Sequence, residues 1–294
     1  MGLFAPGAVT MLVSRDIRDL IDTALAEDVG SGDPTTDTLI EPGLTGSASL
    51  VTREDGVLAG IDVAAAVFTQ FDPALSAVAL QEDGSRLTAG DRLASVTGSV
   101  ASILKAERTA VNFLQHLSGI ATQTRLYVDA VHGYRAQIVD TRKTTPGLRK
   151  LEKYAVTMGG GRNHRHNLAD GILIKDNHIE ALALRGVGIG EVVERALAGA
   201  SHMVKVEIEV ETIEQLEEVL AAGADLVLLD NMGPEQMKTA VRLASGWAVV
   251  EASGGITLDT VREIAKTGVD IISVGALTHS APALNISLDM TIDL

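Results

Sequence analysis

Residues from about 136 onward alternate between short apolar runs and longer stretches whose apolar positions recur at helical spacing. The apolar runs predict six β-strands, at 137–141, 171–176, 204–210, 225–231, 247–253 and 270–276. Measured at Glu209, Asp230, Ser253 and Gly275, the last strand–helix units repeat every 21 to 23 residues. Repeated units of this kind predict a parallel sheet. We expect barrel-like closure of the sheet, although a doubly wound open sheet fits the same spacing.

The first third of the chain mixes helical and strand patterns. Apolar residues at helical spacing predict helices over 15–28, 62–71, 100–117 and 120–132. Strand-like runs, separated by Gly and Asp turn residues, lie at 47–54, 75–82 and 92–98. The change of pattern near residue 136 and the length of the chain suggest two domains, in line with about 150 residues per domain.

Composition and charge exclude several classes of protein. The 294 residues include 24 Lys and Arg against 39 Asp and Glu, a net charge of −15, which argues against a nucleic-acid-coating or polybasic membrane protein. Cysteine is absent, so disulfides, thiolate nucleophiles and cysteine zinc sites are excluded. Residues 1–14 lack a basic leader, and no apolar run approaches the ~18 residues that span a membrane. We expect a cytoplasmic protein that binds neither nucleic acid nor membrane.

Charged side chains gather where the predicted strands end. Ligands of parallel α/β folds bind at the carboxyl ends of strands, so these side chains are expected to share one site. The alternative for any single strand is a polar residue that merely caps it. The residues concerned are Asp140, Arg142 and Lys143 at the end of the first strand, Lys175 at the end of the second, Glu209 in the third, Asp230 in the fourth, Glu251 and Ser253 in the fifth, and Gly275 in the sixth.

The third predicted strand separates charged from apolar side chains. Lys205, Glu207, Glu209 and Glu211 share one face, because side chains alternate along a strand. If helices cover the apolar face, the charged face points into the barrel, where carboxylates need cationic or metal partners. An edge strand with a solvated face is the alternative.

Glycine-rich segments suggest anion binding. Three glycines at 159–161 precede Arg162, His164 and Arg165, and an arginine fork suits an anion with fixed oxygens. The segments at 253–255 and 273–282 are expected to lead into helices that begin near Thr257 and Ser280, where backbone N–H groups bind phosphate. His164 and His166 have no third ligand at a recognisable spacing, so a zinc site is not expected.

Several long motifs, in order, resemble the quinolinate phosphoribosyltransferase family. They are EDVGSGDPTT at 27–36, KAERTAVNFLQHLSGIAT at 105–122, DTRKTTPGLRKLEKYAV at 140–156, GGGRNHRHNLADGILIKDNHI at 159–179, VEIEVE at 206–211, LLDNM at 228–232, EASGGI at 251–256 and SVGALTHSAPALNISLDM at 273–290. The resemblance implies an N-terminal α/β sandwich domain (1–117, with 281–294 packing back on it). It also implies an incomplete six-stranded α/β barrel (118–280).

The resemblance also implies a reaction and its residues. Family members join quinolinate to phosphoribosyl diphosphate with Mg²⁺, release diphosphate and CO2, and form nicotinate mononucleotide. They act as homodimers with a shared site, or as larger assemblies of dimers. Quinolinate is expected to contact Arg142, His164, Arg165 and Lys175, with Arg108 from the partner subunit. Phosphoribosyl diphosphate and catalysis are assigned to Lys143, Glu209 and Asp230, with Glu209 and Asp230 as metal ligands, and phosphate binding to Ser253, Gly254, Gly275 and His279.

Departures from the family pattern are few, and other functions stay open at this stage. His116 stands where many relatives carry Arg, and His166 and Asn167 are an unusual filling of their motif. The alternatives are a transferase of the same fold (molybdenum-locus or nicotinate-using type), a Schiff-base aldolase that uses Lys143 or Lys175, and a non-enzymatic protein that senses a phosphorylated metabolite.

Overall fold

The structure is a computed structural model that describes residues 13–292, which form two compact units. The first unit comprises residues 13–123, 146–160 and 281–292, and the second comprises 124–145 and 161–280. The segment 146–160 groups with the first unit because its helix contacts residues there. Tyr154, for example, donates a hydrogen bond of 2.7 Å from its hydroxyl to Asp83.

The first unit is built on an antiparallel sheet. Its strands are β1 (Thr45–Thr52), β3 (Ser76–Ala79), β5 (Arg92–Ser99) and β12 (Ile286–Ile292), in the order β12-β1-β5-β3. Two short strands, β2 (Gly56–Val57) and β4 (Arg86–Leu87), pair separately. The helices are α1 (Arg15–Val29), α2 (Pro34–Leu39), α3 (Ile61–Phe71), α4 (Val100–Ala130) and α5 (Arg149–Met158), and residues 124–130 of α4 belong to the second unit. This α/β arrangement confirms the fold class expected for the N-terminal region.

Periodic apolar residues explain why the helices of the first unit pack as they do. Ile17, Ile21 and Leu25 recur every four residues on α1 and are buried, and α1 contacts α3. The carboxylate of Asp83 accepts the backbone N–H groups at Gly60 and Ile61, which are otherwise unpaired at the start of α3.

The long helix α4 corrects the prediction of two helices over 100–117 and 120–132. It runs without a break through Gly119. This glycine serves close packing, because a Cβ atom there would lie 2.1 Å from the carbonyl oxygen of Pro282. The neighbouring Ser118 donates a hydrogen bond of 3.2 Å from Oγ to the carbonyl of Ala59, which holds the helix against the preceding segment.

The second unit is a six-stranded parallel sheet, and all six predicted strands are confirmed with slightly narrower bounds. They are β6 (Gln137–Val139), β7 (Ile172–Ile174), β8 (Val206–Val210), β9 (Leu226–Asp230), β10 (Val249–Ser253) and β11 (Ile271–Ser273). The helices are α6 (Asp176–Ala183), α7 (Ile189–Gly199), α8 (Ile213–Ala221), α9 (Pro234–Ala244), α10 (Leu258–Ala265) and α11 (Ala276–His279). No helix within 13–292 is long and apolar enough to cross a membrane.

Strand order distinguishes the incomplete barrel from the doubly wound sheet. The order is β6-β11-β10-β9-β8-β7, so the strands follow one another around a ring and only β6 and β7 are not paired. A doubly wound sheet would instead reverse direction at a switch point. The charged face of β8 points into this ring, as expected, and Glu207 is buried there.

Candidate active site

A cavity of about 640 Å³ opens at the carboxyl ends of the six strands. The sequence predicted that charged residues from distant stretches of chain would meet at this end, and they do. Nine predicted site residues line the cavity: Arg142, Lys143, His164, Arg165, Lys175, Glu209, Asp230, Ser253 and Gly254.

One side of the cavity combines a lysine with two carboxylates. Lys175 directly follows β7, and its Nζ lies 2.9 Å from Oε2 of Glu209 on the neighbouring strand β8. Asp230 ends the next strand, β9, and accepts a hydrogen bond of 2.8 Å from the side-chain amide of Asn231. Glu209 lies opposite Leu228 of β9, so Asp230 projects from the same face of the sheet two positions further along the strand. The ammonium group of Lys175 lies beside Glu209.

The segment that carries His164 and Arg165 lies along the free edge of β6. The backbone N–H of Arg162 donates to Ile138 at 2.9 Å, and the N–H of Asp140 donates to the carbonyl of Arg162 at 3.1 Å. The fully buried carboxylate of Asp140 accepts the backbone N–H of His164 at 2.8 Å. These bonds explain why a loop after a glycine run has a fixed place beside the sheet. Arg162 itself is exposed and does not line the cavity.

Arg165 is held inside the site by its own hydrogen bond. Its Nη1 donates to the carbonyl of Gly171 at 3.0 Å. Burial and the neighbouring positive charge of Arg142 lower the pKa of Arg165, whereas Glu207 and Asp170 act in the opposite direction. Two guanidinium groups brought close in this way form a site for an anion, which relieves their mutual repulsion.

The turn after β10 requires glycine. Gly254 has a φ of 94°, and a Cβ atom there would lie 2.2 Å from Oδ1 of Asn231. Asn231 also has a positive φ, 54°, and its backbone N–H donates to the carbonyl of Ser253 at 3.1 Å. The backbone at Gly254, after β10, is therefore packed directly against the side chain of Asn231, after β9. Because glycine has no Cβ atom, a ligand can also approach the backbone of this turn closely.

The predicted helix near Ser280 is wrong. The helix, α11, begins at Ala276, directly after Gly275, and ends at His279. Continuation beyond Ser280 is disfavoured because Pro282 restricts the residue before it. Gly275 and His279 are not among the residues that line the cavity, yet they lie beside it. A Cβ atom on Gly275 would be 3.1 Å from Cδ of Lys143 and 3.2 Å from Nε2 of His279.

Two sequence-derived candidates belong to the first unit. Arg108 is exposed on α4, outside the cavity of the second unit. His116 lies with Nε2 2.9 Å from Oε1 of the fully buried Glu152. The assignment of Arg108 to the partner's site stays a prediction.

Two buried acids inside the barrel are functional candidates to which sequence reasoning assigned no role, although it placed Glu207 on the inner face of its strand and Glu251 at a strand end. Nε2 of His164 lies 3.1 Å from Oε2 of Glu207 and 3.7 Å from Oε2 of Glu251. Burial, together with the charge of Glu207, raises the pKa of Glu251 to about 8. The signal was present, since each acid lies two positions before a predicted site residue on its strand, Glu209 and Ser253, and therefore on the same face.

Comparison with known families decides the relationship. The N-terminal domain model of quinolinate phosphoribosyl transferase matches residues 33–118, and the C-terminal domain model matches residues 120–289. The chain belongs to the quinolinate phosphoribosyltransferase family. The resemblance seen in the motifs is thereby confirmed.

Similar proteins cover nearly the whole chain. A Bacillus subtilis protein named probable nicotinate-nucleotide pyrophosphorylase (carboxylating) is 42% identical over 276 residues, 94% of each chain. A Mycobacterium leprae protein named nicotinate-nucleotide pyrophosphorylase (carboxylating) is 44% identical over 93% of this chain and 96% of its own. The solved nicotinate-nucleotide pyrophosphorylase of Francisella tularensis has a TM-score of 0.88 and 40% identity, and the match covers 94% of this chain and 96% of that one.

Proposed function

We propose that this protein transfers the phosphoribosyl group of phosphoribosyl diphosphate to quinolinate and releases diphosphate and CO2, which yields nicotinate mononucleotide. The observation that carries the proposal is the cavity at the strand ends, where Arg142, Arg165, Lys143 and Lys175 meet the carboxylates of Glu209 and Asp230. Both reactants are polyanions, and only a local cationic cluster can bind them within a chain of net charge −15. The names of the close relatives support the same reaction.

Quinolinate carries two adjacent carboxylates, which the cations on one side of the cavity suit. Arg142 and Arg165 offer planar forks that bind a carboxylate through two parallel hydrogen bonds. Lys175 offers a point charge beside them, and it is already placed by Glu209. A substrate with one carboxylate, such as nicotinate, would leave part of this positive charge uncompensated.

Phosphoribosyl diphosphate is assigned to the opposite side of the cavity. Lys143 lies beside Gly275 and His279, and Ser253 and Gly254 form the turn that precedes α10. Backbone N–H groups in such turns bind phosphate oxygens, and the lysine supplies a point charge. Thr278 donates to the carbonyl of Lys143 at 2.7 Å, which fixes the loop that carries the lysine.

Mg²⁺ fits the carboxylate pair of Glu209 and Asp230. The two residues lie on neighbouring strands, line the same cavity and present oxygen donors. Mg²⁺ in proteins takes one or two carboxylates and completes its shell with water and substrate phosphates. When bound, it would neutralise charge that develops on the departing diphosphate.

The side chains of the cavity would act chiefly by positioning. The cations hold the pyridine nitrogen of quinolinate against C1 of the ribose, and positioning of this kind contributes ~7–11 kcal/mol in favourable cases. Glu209 and Asp230 stabilise the positive charge that develops at C1. The new N–C1 bond makes the ring a pyridinium. When the 2-carboxylate departs as CO2, the electron pair of the broken C–C bond stays on C2, where the neighbouring positively charged nitrogen stabilises it, and C2 then takes up a proton.

The proposal includes the subunit arrangement of the protein and its cytoplasmic location. We propose a homodimer in which Arg108, exposed on α4, completes the site of the partner subunit. The lack of cysteine is compatible with the reducing cytoplasm.

A direct assay tests the reaction. The protein is incubated with Mg²⁺, phosphoribosyl diphosphate and quinolinate labelled at the 2-carboxylate, with nicotinate as the competing substrate. We expect labelled CO2 and nicotinate mononucleotide from quinolinate, no turnover of nicotinate, and loss of turnover when Mg²⁺ is chelated. Turnover of nicotinate alone would point to a nicotinate-using transferase, and binding without turnover would point to a sensor. Lys143→Ala is the control for the site, because it should abolish the use of phosphoribosyl diphosphate.

A further inference from the structure

The imidazole of His164 makes two contacts that together determine its protonation. Its Nδ1 lies 2.8 Å from the backbone nitrogen of Arg165, which donates the hydrogen bond. A backbone N–H only donates, so Nδ1 accepts and carries no proton. The ring proton is then on Nε2, which faces Oε2 of Glu207 at 3.1 Å. The protein itself engages both ring nitrogens.

The acids beneath the ring complete a buried unit. Glu207 and Glu251 are 3% and 1% exposed, and Oε1 of each has no hydrogen-bond partner within the described part of the chain. Two carboxylates this close and this buried are not both ionised. Burial and the nearby carboxylate of Glu207 raise the pKa of Glu251, which favours its protonated form.

The same three side chains have the composition of a metal site, but the tautomer argues against one. His164, Glu207 and Glu251 present ligand atoms that all lie within 4.8 Å of one another. A metal on Nε2 would leave the ring proton on Nδ1, where it would face the N–H of Arg165, donor against donor. The hydrogen bonds of this protein therefore favour a proton on Nε2 over a metal ion.

We propose that His164 is a neutral positioning residue, not a cationic ligand of quinolinate, and that with Glu207 and Glu251 it fixes the main chain of Arg165. The proposal rests on the proposed function, in which Arg165 binds a substrate carboxylate. His164 holds the main chain of Arg165, and a separate hydrogen bond to the carbonyl of Gly171 holds its guanidinium. Within this subunit, the positive charge assigned to the diacid then comes from Arg142, Arg165 and Lys175.

The tautomer can be measured on the free protein. Glu207 on β8 and Glu251 on β10 face the ring of His164, Asp140 after β6 accepts its backbone N–H, and Arg165 follows it in the chain. We expect ¹⁵N-histidine NMR spectra to show His164 protonated at Nε2 only, from about pH 6 to about pH 8, the range in which histidine titrates. His164→Asn assigns the resonance among the seven histidines. If this variant does not fold, the shift perturbed in Glu251→Gln assigns it. A proton on Nδ1, whether in the imidazolium form or in the other neutral tautomer, would overturn the proposal. Loss of the Nε2 proton on addition of ZnCl2 would also overturn it.

Kinetics test the positioning role. In His164→Asn, the asparagine oxygen still accepts the N–H of Arg165 but the link to Glu207 is lost. We expect the KM for quinolinate to rise about tenfold, the effect of one lost hydrogen bond, with little change in the KM for phosphoribosyl diphosphate. Glu251→Gln, a neutral mimic of the protonated acid, should retain more activity than Glu251→Leu.

The pH dependence of kcat/KM for quinolinate in the wild type distinguishes a neutral from a cationic His164. A kcat/KM for quinolinate that falls through about pH 6.5 in the wild type, and loses this limb in His164→Asn, would make His164 a cationic ligand and refute the proposal. The NMR result needs no turnover, so it separates failure of this proposal from failure of the proposed function.

Discussion

Lys175 Nζ lies 2.9 Å from Glu209 Oε2, and the two residues come from neighbouring parallel strands at the mouth of the cavity. The lysine side chain is 46% exposed, whereas that of the glutamate is 10% exposed. The lysine therefore has a partner that orients it while its charge still faces the cavity. This pair joins the proposed quinolinate side of the site to the proposed metal side.

Removal of the ammonium group should weaken quinolinate binding selectively. We expect Lys175→Ala to lower kcat/KM for quinolinate by about 10-fold to about 100-fold, the effect of one charge-assisted hydrogen bond. Steady-state kinetics with each substrate varied in turn measure the effect. Lys205→Ala is the matched control, because that lysine is 80% exposed and pairs with Asp225. Equal losses in the two variants would contradict the assignment of Lys175.

A methyl group at the β10 turn should damage both stability and phosphate binding. Gly254→Ala places a Cβ atom against Asn231 and forces a positive φ on alanine. We expect a loss of about 1–3 kcal/mol in the free energy of unfolding and a raised KM for phosphoribosyl diphosphate. Gly199→Ala is the control, because a Cβ atom there would meet nothing within 4 Å and its φ is not positive. A fully stable Gly254→Ala protein with unchanged kinetics would refute the role of this turn.

A methyl group inside α4 should destabilise the first unit. In Gly119→Ala, the new Cβ atom would overlap the carbonyl oxygen of Pro282, which is main chain and cannot rotate away. We expect the free energy of unfolding to fall by about 1–3 kcal/mol, as in other overpacked cores. Denaturant titration against wild type and Gly199→Ala provides the measurement. An unchanged midpoint would mean that the segment at Pro282 does not lie where the structure places it.

Stability should depend on pH through Glu251. Its pKa rises from 4.5 to about 8 on folding, so the folded protein binds more protons than the unfolded chain between these values. The contribution is present in full below pH 4.5 and is lost as the pH rises through about 8. Glu251→Gln should flatten this decline, as measured by denaturant titration across the same range. Parallel pH profiles of wild type and variant would exclude Glu251 as the source.

Shared active sites should show complementation. Arg108→Ala and Lys143→Ala are each expected to be inactive, one through the site it would complete in the partner and the other through its own. After subunit exchange, half of the dimers are hybrids with one intact site, so about a quarter of wild-type activity should return. No recovery, with exchange confirmed by differently tagged subunits, would contradict a site shared between subunits.

Much of the barrel could be predicted because its strands repeat at regular spacing with charged residues at their ends. Arg142, Lys175 and Asp230 are far apart in the chain, yet parallel topology brings strand ends together. The continuous helix α4 could not be predicted, because the role of Gly119 depends on Pro282, a residue distant in sequence. The local sequence pattern shows that a glycine is present, but it does not show which distant residue packs against that glycine.

The chemistry of individual side chains was predictable only in part. Alternation along β8 placed Glu207 on the inner face, but not its neighbours His164 and Glu251. The motif around His164 suggested a ligand for an anion, but it gave no sign that the ring nitrogens would contact Arg165 and Glu207. Protonation depends on such tertiary contacts, and residue type and spacing do not determine it.

A crystal structure with quinolinate bound tests the central claim most directly, which is that cations from separate stretches of chain form one pocket for a diacid. The account predicts both carboxylates of quinolinate in the cavity at the strand ends, in contact with Arg142, Arg165 and Lys175. Quinolinate bound elsewhere, or bound in the cavity without contact to these three side chains, would contradict it.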